Sequence, residues 1–166
     1  MLSVIIPAYN EELSVERAYY TISEILREAE IDNEIIFIDD GSTDTTYEKI
    51  KNLADKEKNI SGLHFSRNFG KEAAISAGLA SAKGDAVVVI DCDLQHPPEK
   101  IVEMYHLWQE GYEIVEGIKK TRGKESKMHG FAARKFYRVI SSVVGFDMSN
   151  ASDFKLLDRK VVDILN

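Results

Sequence analysis

Short runs of β-branched and aliphatic residues, each followed by a segment of helical period, recur along the chain and restrict its fold more than any other feature. Ser3–Pro7, Glu34–Ile38, Gly62–Ser66 and Asp85–Ile90 read as strands, with a fifth at Glu113–Gly117. Between them the 3.6-residue periodicity predicts helices over Glu12–Glu30, about Thr43–Lys56, Lys71–Ala82 and from Pro97 to about Glu110. The first of these places Val15, Ala18, Tyr19, Ile22, Ile25, Leu26 and Ala29 on one face. A long helix over about Met128–Val144, a short element at Phe154–Leu157 and a last helical turn complete the expected order. Apolar strands alternating with amphipathic helices need cover on both faces, so the expectation is an α/β fold with a mostly parallel sheet between two helical layers. A chain of 166 residues without repeat, linker or low-complexity tract reads as one domain, 1–166.

In sheets of this kind ligands bind beyond the carboxyl ends of the strands. The unusual polar clusters fall there. Pro7-Ala-Tyr-Asn-Glu11 follows the first strand, Asp39-Asp-Gly-Ser42 the second, Ser66-Arg-Asn-Phe-Gly-Lys71 the third and Asp91-Cys-Asp-Leu-Gln95 the fourth. Four strand ends are thereby expected to converge on one crevice.

Asp91 and Asp93 are spaced i, i+2 and would point the same way if strand geometry persisted. Two close carboxylates repel unless a cation joins them, and oxygen-only donors suit Mg²⁺ or Mn²⁺ carrying substrate phosphates. The structural alternative, a cap for the helix near Pro97, needs one acid rather than two. Cys92 between them reads as a small buried hydrophobe, since a thiolate and Mg²⁺ are mismatched in softness. Asp39 and Asp40 could accept hydrogen bonds from a nucleobase or from ribose hydroxyls, while Ser42 or Thr43 caps the next helix and Asp44 favours its positive end. Asn10 and Glu11 admit either a helix start or a ligand role. Arg67 and Lys71 oppose the dipole of the helix they open; a diphosphate would suit them, and so would pairing with nearby acids.

Other chemistries are excluded more simply. The chain has no Gly-x-Gly-x-x-Gly, P-loop or Gly-x-Ser-x-Gly, and its four histidines do not form a metal-ligand spacing. Cys92 is the only cysteine, so no internal disulfide forms. MLSVIIPAYNEE lacks the basic leader and cleavage site of a secretory signal, and no run reaches the roughly 20 apolar residues of a membrane span. The net charge of −7 argues against nucleic acid as a partner. Yet Lys119, Lys120, Arg122, Lys124, Lys127, Arg134, Lys135 and Arg138 face a single acid, Glu125, within one stretch. That stretch is either a solvated helix face or a site for an anionic partner.

Taken together, the four clusters and Asp153-Phe-Lys-Leu-Leu-Asp-Arg159 resemble the family-2 inverting glycosyltransferases of the GT-A fold. Within that family the resemblance is nearest to the polyprenyl-phosphate sugar transferases, the dolichol-phosphate mannose synthase and bactoprenol glucosyltransferase group. It covers essentially the whole chain, in order. It implies a Rossmann-like nucleotide-diphospho-sugar transferase with Pro7, Tyr9 and Glu11 lining the nucleoside pocket, Asp40 at its base and Asp39 nearby. Asp91 and Asp93 would hold a divalent metal, Mg²⁺ or Mn²⁺, on the donor diphosphate. Gln95 would face the sugar or acceptor, and Arg67 and Lys71 match the family pattern beside the donor. Asp153 matches the acid usually described as the base. The basic stretch, Arg122 and Arg134 included, then has candidate partners in the acceptor's phosphate and the anionic membrane surface.

The resemblance further implies a UDP- or GDP-sugar donor, a polyprenyl phosphate acceptor and work at the cytoplasmic face of the cell membrane. A homo-oligomer is left open. The departures are His96 where relatives often have Asp, Ser152 where they have Gly and Lys155 where they have Arg. The chain also stops inside the amphipathic pattern Val161-Val162-x-Ile164-Leu165, which reads as a catalytic core cut before a membrane-anchoring part. Two other readings stand beside this one: a family-2 enzyme with a saccharide or hydroxyl acceptor, and a nucleotide-sugar-binding module without turnover.

Overall fold

The computed structural model describes residues 1–117 and 154–165. Among the described residues six strands form one sheet: β1 (Leu2–Ala8), β2 (Asn33–Asp39), β3 (Ile60–His64), β4 (Ala86–Val89), β5 (Ile114–Glu116) and β6 (Lys155–Asp158). Their order across the sheet is β3-β2-β1-β4-β6-β5. The helices are α1 (Val15–Glu28), α2 (Thr46–Ala54), α3 (Lys71–Ser81), α4 (Lys100–Gln109) and α5 (Arg159–Leu165). The expected helix at Met128–Val144 lies outside the described residues.

Residue alternation in β1 explains the layering. Leu2, Val4 and Ile6 face α1, α2 and α4, packing with Ile22, Leu26, Ile50, Ile101 and Phe37. Ile5 faces the other way, onto Ala74, Ile75 and Leu79 of α3, in a cluster that includes Val161 and Val162 of α5. Both faces of the central strands are therefore dry. At about 25 cal/mol per Å² of apolar surface, each such side chain contributes roughly 1.5–3 kcal/mol. Gly78 permits the close approach of α3 to the sheet, because a Cβ there would lie 2.5 Å from Ile5 Cγ2 and 2.9 Å from Ile38 Cδ1.

Strands β1 to β4 run parallel, as the alternating pattern predicts. The exception is β6, which pairs antiparallel with both β4 and β5. It brings Lys155 beside Val89 and beside Glu116, at the edge of the sheet where β1, β2 and β4 also end. There the amide of Gly117 donates to the carbonyl of Phe154 at 2.9 Å. The strands match the expected segments to within two residues. The helices α1, α2 and α4 begin about one turn later than periodicity suggests; before α1 and α2 the polar residues bond between the two loops instead of entering the helix.

Candidate active site

The carboxyl ends of β1, β2 and β4 open into a cleft of about 240 Å³, lined by Pro7, Ala8, Tyr9, Glu11, Asp40, Lys71, Ala74, Asp91, Cys92 and Asp93. The expected convergence of strand ends thus occurs, and seven of the sequence-derived site residues share one wall. Asp39, Arg67 and Gln95 are not among that lining, and Arg122, Arg134 and Asp153 lie outside the described residues.

Two loops at the ends of β1 and β2 are laced together. The amide of Asn10 donates to Ser42 Oγ at 2.9 Å, and Asn10 Oδ1 accepts from the amide of Thr43 at 2.9 Å. Glu11 N–H donates to Thr46 Oγ1, while Glu12 Oε2 accepts from Thr45 Oγ1 at 2.7 Å. Asn10 adopts φ +55° to make these bonds. This corrects the capping roles considered for Asn10, Ser42 and Thr43: α1 begins at Val15 and α2 at Thr46, so those side chains span loops rather than close helix ends. Asp44 accepts from the amide and hydroxyl of Thr46 and from the amide of Glu12.

The two acids after β2 have separate tasks. Asp39 is fully buried; its carboxylate accepts from the amide of Ser42 at 3.2 Å and pairs with His64 Nδ1 at 2.5 Å. The His64 ring stacks on Tyr47 with centroids 4.2 Å apart. His64 has no ligand spacing in the sequence; only the parallel pairing that sets Asp39 beside it reveals the contact. Asp40 is also buried and accepts from the amides of Phe69 and Gly70 at 2.7 and 2.9 Å, which fixes the loop leading into α3. Gly70 has φ +100°, a conformation glycine reaches without penalty. Arg67 lies over the Phe69 ring, 4.6 Å from its centroid.

Beyond β4 the chain does not stay extended, which corrects the simple i, i+2 argument. The amide of Leu94 donates to the carbonyl of Asp91, Leu94 takes φ +56°, and Asp93 Oδ1 accepts from the amide of Gln95 at 3.0 Å. A turn, rather than a strand, brings both carboxylates to the cleft. Asp91 Oδ1 pairs with Lys71 Nζ at 2.6 Å, so the pairing of Lys71 with a nearby acid is realised. The guanidinium of Arg17 donates to the carbonyl of Asp93 at 3.0 Å and braces the turn from α1. Cys92 is buried between the acids. Burial, and then the charges of Glu11 and Asp93, push its thiol well above the usual range, so it packs as a hydrophobe. His96 is buried as well, its ring 5.1 Å from that of Phe154.

The donor set suits a hard dication. Each of Asp91 and Asp93 has one oxygen in a described contact and a second to offer, and the thiol between them is held protonated. Among the described residues no three His, Cys, Asp or Glu side chains cluster to hold a metal by themselves.

Solved structures of glycosyltransferases of the GT-A class align along almost the whole chain. A mannosyltransferase from Pyrobaculum calidifontis, in complex with GDP-Man and Mn²⁺, aligns over 99% of this chain and 46% of its own, with TM-score 0.69 and 21% identity, a likeness of fold. Glucosyl-3-phosphoglycerate synthase from Mycobacterium tuberculosis, in complex with UDP, covers 96% of this chain and 57% of its own at TM-score 0.64 and 26% identity.

The chain belongs to glycosyl transferase family 2, whose model matches residues 3–163. An uncharacterized glycosyltransferase of Synechocystis, sll0501, is 42% identical over 165 residues, 99% of this chain and 52% of the relative. The bactoprenol glucosyl transferase of Shigella phage SfV is 37% identical over 163 residues, 98% of this chain and 53% of the relative. The chain spans about half the length of the curated relatives it matches.

Proposed function

We propose that this protein is an inverting, divalent-metal-dependent glycosyltransferase that moves a sugar from a nucleoside diphosphate to a polyprenyl phosphate at the cytoplasmic face of a membrane. The observation that carries the reading is the cleft in which Asp91 and Asp93 meet Tyr9, Glu11, Asp40 and Lys71. The similarity to bactoprenol glucosyl transferases supports the acceptor class.

Tyr9, 47% exposed at the rim, offers a ring face to a nucleobase, and Pro7 and Glu11 continue that wall. Each Asp40 oxygen accepts one loop amide and retains a lone pair for a base N–H. Asp39 acts from behind, holding the Ser42 turn and the His64 ring in place. Arg67 and Lys71 supply positive charge where the diphosphate would lie, at the start of α3. Asp91 and Asp93 would hold Mg²⁺ or Mn²⁺, which stabilises the negative charge that develops on a departing diphosphate. Gln95, exposed just past the acid turn, would meet the sugar or acceptor.

A phosphate monoester has a second pKa near ~6 and reaches the site largely ionised. We therefore assign Asp153 to positioning the acceptor rather than to removing a proton, with Arg122 and Arg134 drawing the acceptor phosphate and the anionic membrane surface. Asp153→Asn should then keep a rate profile that follows acceptor ionisation. Complete loss of turnover at high pH with acceptor binding intact would contradict that assignment.

The test of the donor site is a thermal-shift series with UDP, GDP and their sugars, each with and without Mn²⁺, because a ligand that binds only the native state raises its melting temperature. No shift with any of them sinks the reading. Transfer to a saccharide but to no polyprenyl phosphate would move the acceptor to the other family-2 class.

A further inference from the structure

Lys71 is an unexpected choice for its position. It is the first residue of α3, where an ammonium opposes the helix dipole. Its backbone is fixed from behind, because Asp40 holds the amides of Phe69 and Gly70 immediately before it. Its side chain reaches across the cleft to Asp91 Oδ1 at 2.6 Å. Both partners remain partly open to solvent, 38% and 30% exposed, and both line the cleft with Asp93.

The ammonium therefore stands at one of the two carboxylates to which a dication would bind. With Lys71 in place the acid pair carries about one net negative charge instead of two, and a dication arriving there also meets a like charge. A nucleoside diphosphate changes this condition. Its oxygens are ligands for a hard dication, and its negative charge at the start of α3 gives the ammonium another anion to face.

We propose that Lys71 is a built-in counter-ion that makes divalent-cation binding at Asp91 conditional on a nucleoside diphosphate. This rests on the donor-site reading above and extends it. The metal and the nucleotide enter as a pair, and Lys71 turns from Asp91 toward the diphosphate as they do. An empty cleft is thereby kept from collecting cations without a donor.

The experiment is an Mn²⁺ titration followed by the electron paramagnetic resonance signal of free Mn²⁺, alone and with saturating UDP or GDP. Wild type should bind Mn²⁺ weakly alone and at least tenfold more tightly with the correct nucleotide. Lys71→Met should bind Mn²⁺ alone roughly tenfold more tightly than wild type, the effect expected from removing one adjacent cation, and should gain less from nucleotide. Lys71→Arg keeps the charge and should bind Mn²⁺ without nucleotide as weakly as wild type. A damaged fold lowers Mn²⁺ affinity, so the gain in Lys71→Met cannot come from a structural lesion. Equal Mn²⁺ affinity in wild type and Lys71→Met without nucleotide overturns the proposal, and so does tight nucleotide-independent binding by wild type. Absence of Mn²⁺ binding by wild type even with UDP and GDP overturns the donor-site reading itself, and this inference with it.

Discussion

Asp40 should behave as the anchor of the loop that opens α3, and its replacement by asparagine tests this quantitatively. The carboxylate is 3% exposed and accepts the amides of Phe69 and Gly70 at 2.7 and 2.9 Å. Hydrogen bonds to a charged group contribute about 1.5–3 kcal/mol each. Asp40→Asn keeps one carbonyl acceptor but turns an NH₂ group toward the other amide. One charge-assisted bond is lost and the second becomes neutral, so the expected destabilisation is about 2–4 kcal/mol. For a domain of this size that lowers the melting temperature by about 5–15 °C. The assay is thermal denaturation by circular dichroism with Asp32→Asn, on an exposed carboxylate, as control; the control should stay within about 0.5 kcal/mol of wild type. Because the same loop carries Lys71 into the cleft, nucleotide-induced stabilisation should shrink in Asp40→Asn as well. A variant that melts within about 1 °C of wild type would refute the anchoring argument, whatever its effect on nucleotide.

Four further outcomes follow from other contacts. Gly78→Val, whose Cβ would lie 2.5 Å from Ile5 Cγ2, should lower the urea midpoint by the equivalent of about 1–3 kcal/mol. Asp93→Asn should abolish the Mn²⁺-dependent part of nucleotide binding and lower turnover by about a hundredfold, with the fold intact by circular dichroism. Burial works against the Asp44 charge, but hydrogen bonds from Thr46 and from the amide of Glu12 outweigh it and hold the carboxyl below its ordinary range. The stabilisation is therefore present above the unfolded pKa and is lost as the pH falls through the folded one. Asp44→Asn should be less stable than wild type by about 1 kcal/mol or less at neutral pH, and the difference in urea midpoint should close in acid. Cys92, buried with its thiol pushed up, should resist a thiol reagent at mild alkaline pH in the native protein and react at once in urea.

The layering of this protein was legible in its sequence because burial on both faces of a strand leaves a continuous apolar run, and helices between such runs keep a 3.6-residue stripe. That placed Asp40, Asp91 and Asp93 at the strand ends, where the cleft lies. The bonds between loops were not legible. Asn10, Glu12, Thr45 and Thr46 resemble helix-start residues when each segment is considered alone, and their partners sit more than thirty positions away. The clustering of Ser, Thr and acids on two adjacent strand ends was the available signal. The turn at Leu94 was hidden as well, because its positive φ falls on a residue that gives no local warning. The reversed direction of β6 leaves no trace in periodicity, which reports burial and not polarity of the strand.

The bond between the Gly117 amide and the Phe154 carbonyl has an evolutionary consequence. Gly117 and Phe154, which flank β5 and β6, are thereby held side by side at one edge of the sheet. The entropic cost of a closed excursion rises by only about 0.6 kcal/mol for each doubling of its length. A change in the number of residues between those two positions therefore alters the entropy of closing that bond only slightly. A genetic swap with cut points at Gly117 and Phe154 would replace the intervening residues as one cassette and leave the acids at the ends of β2 and β4 untouched.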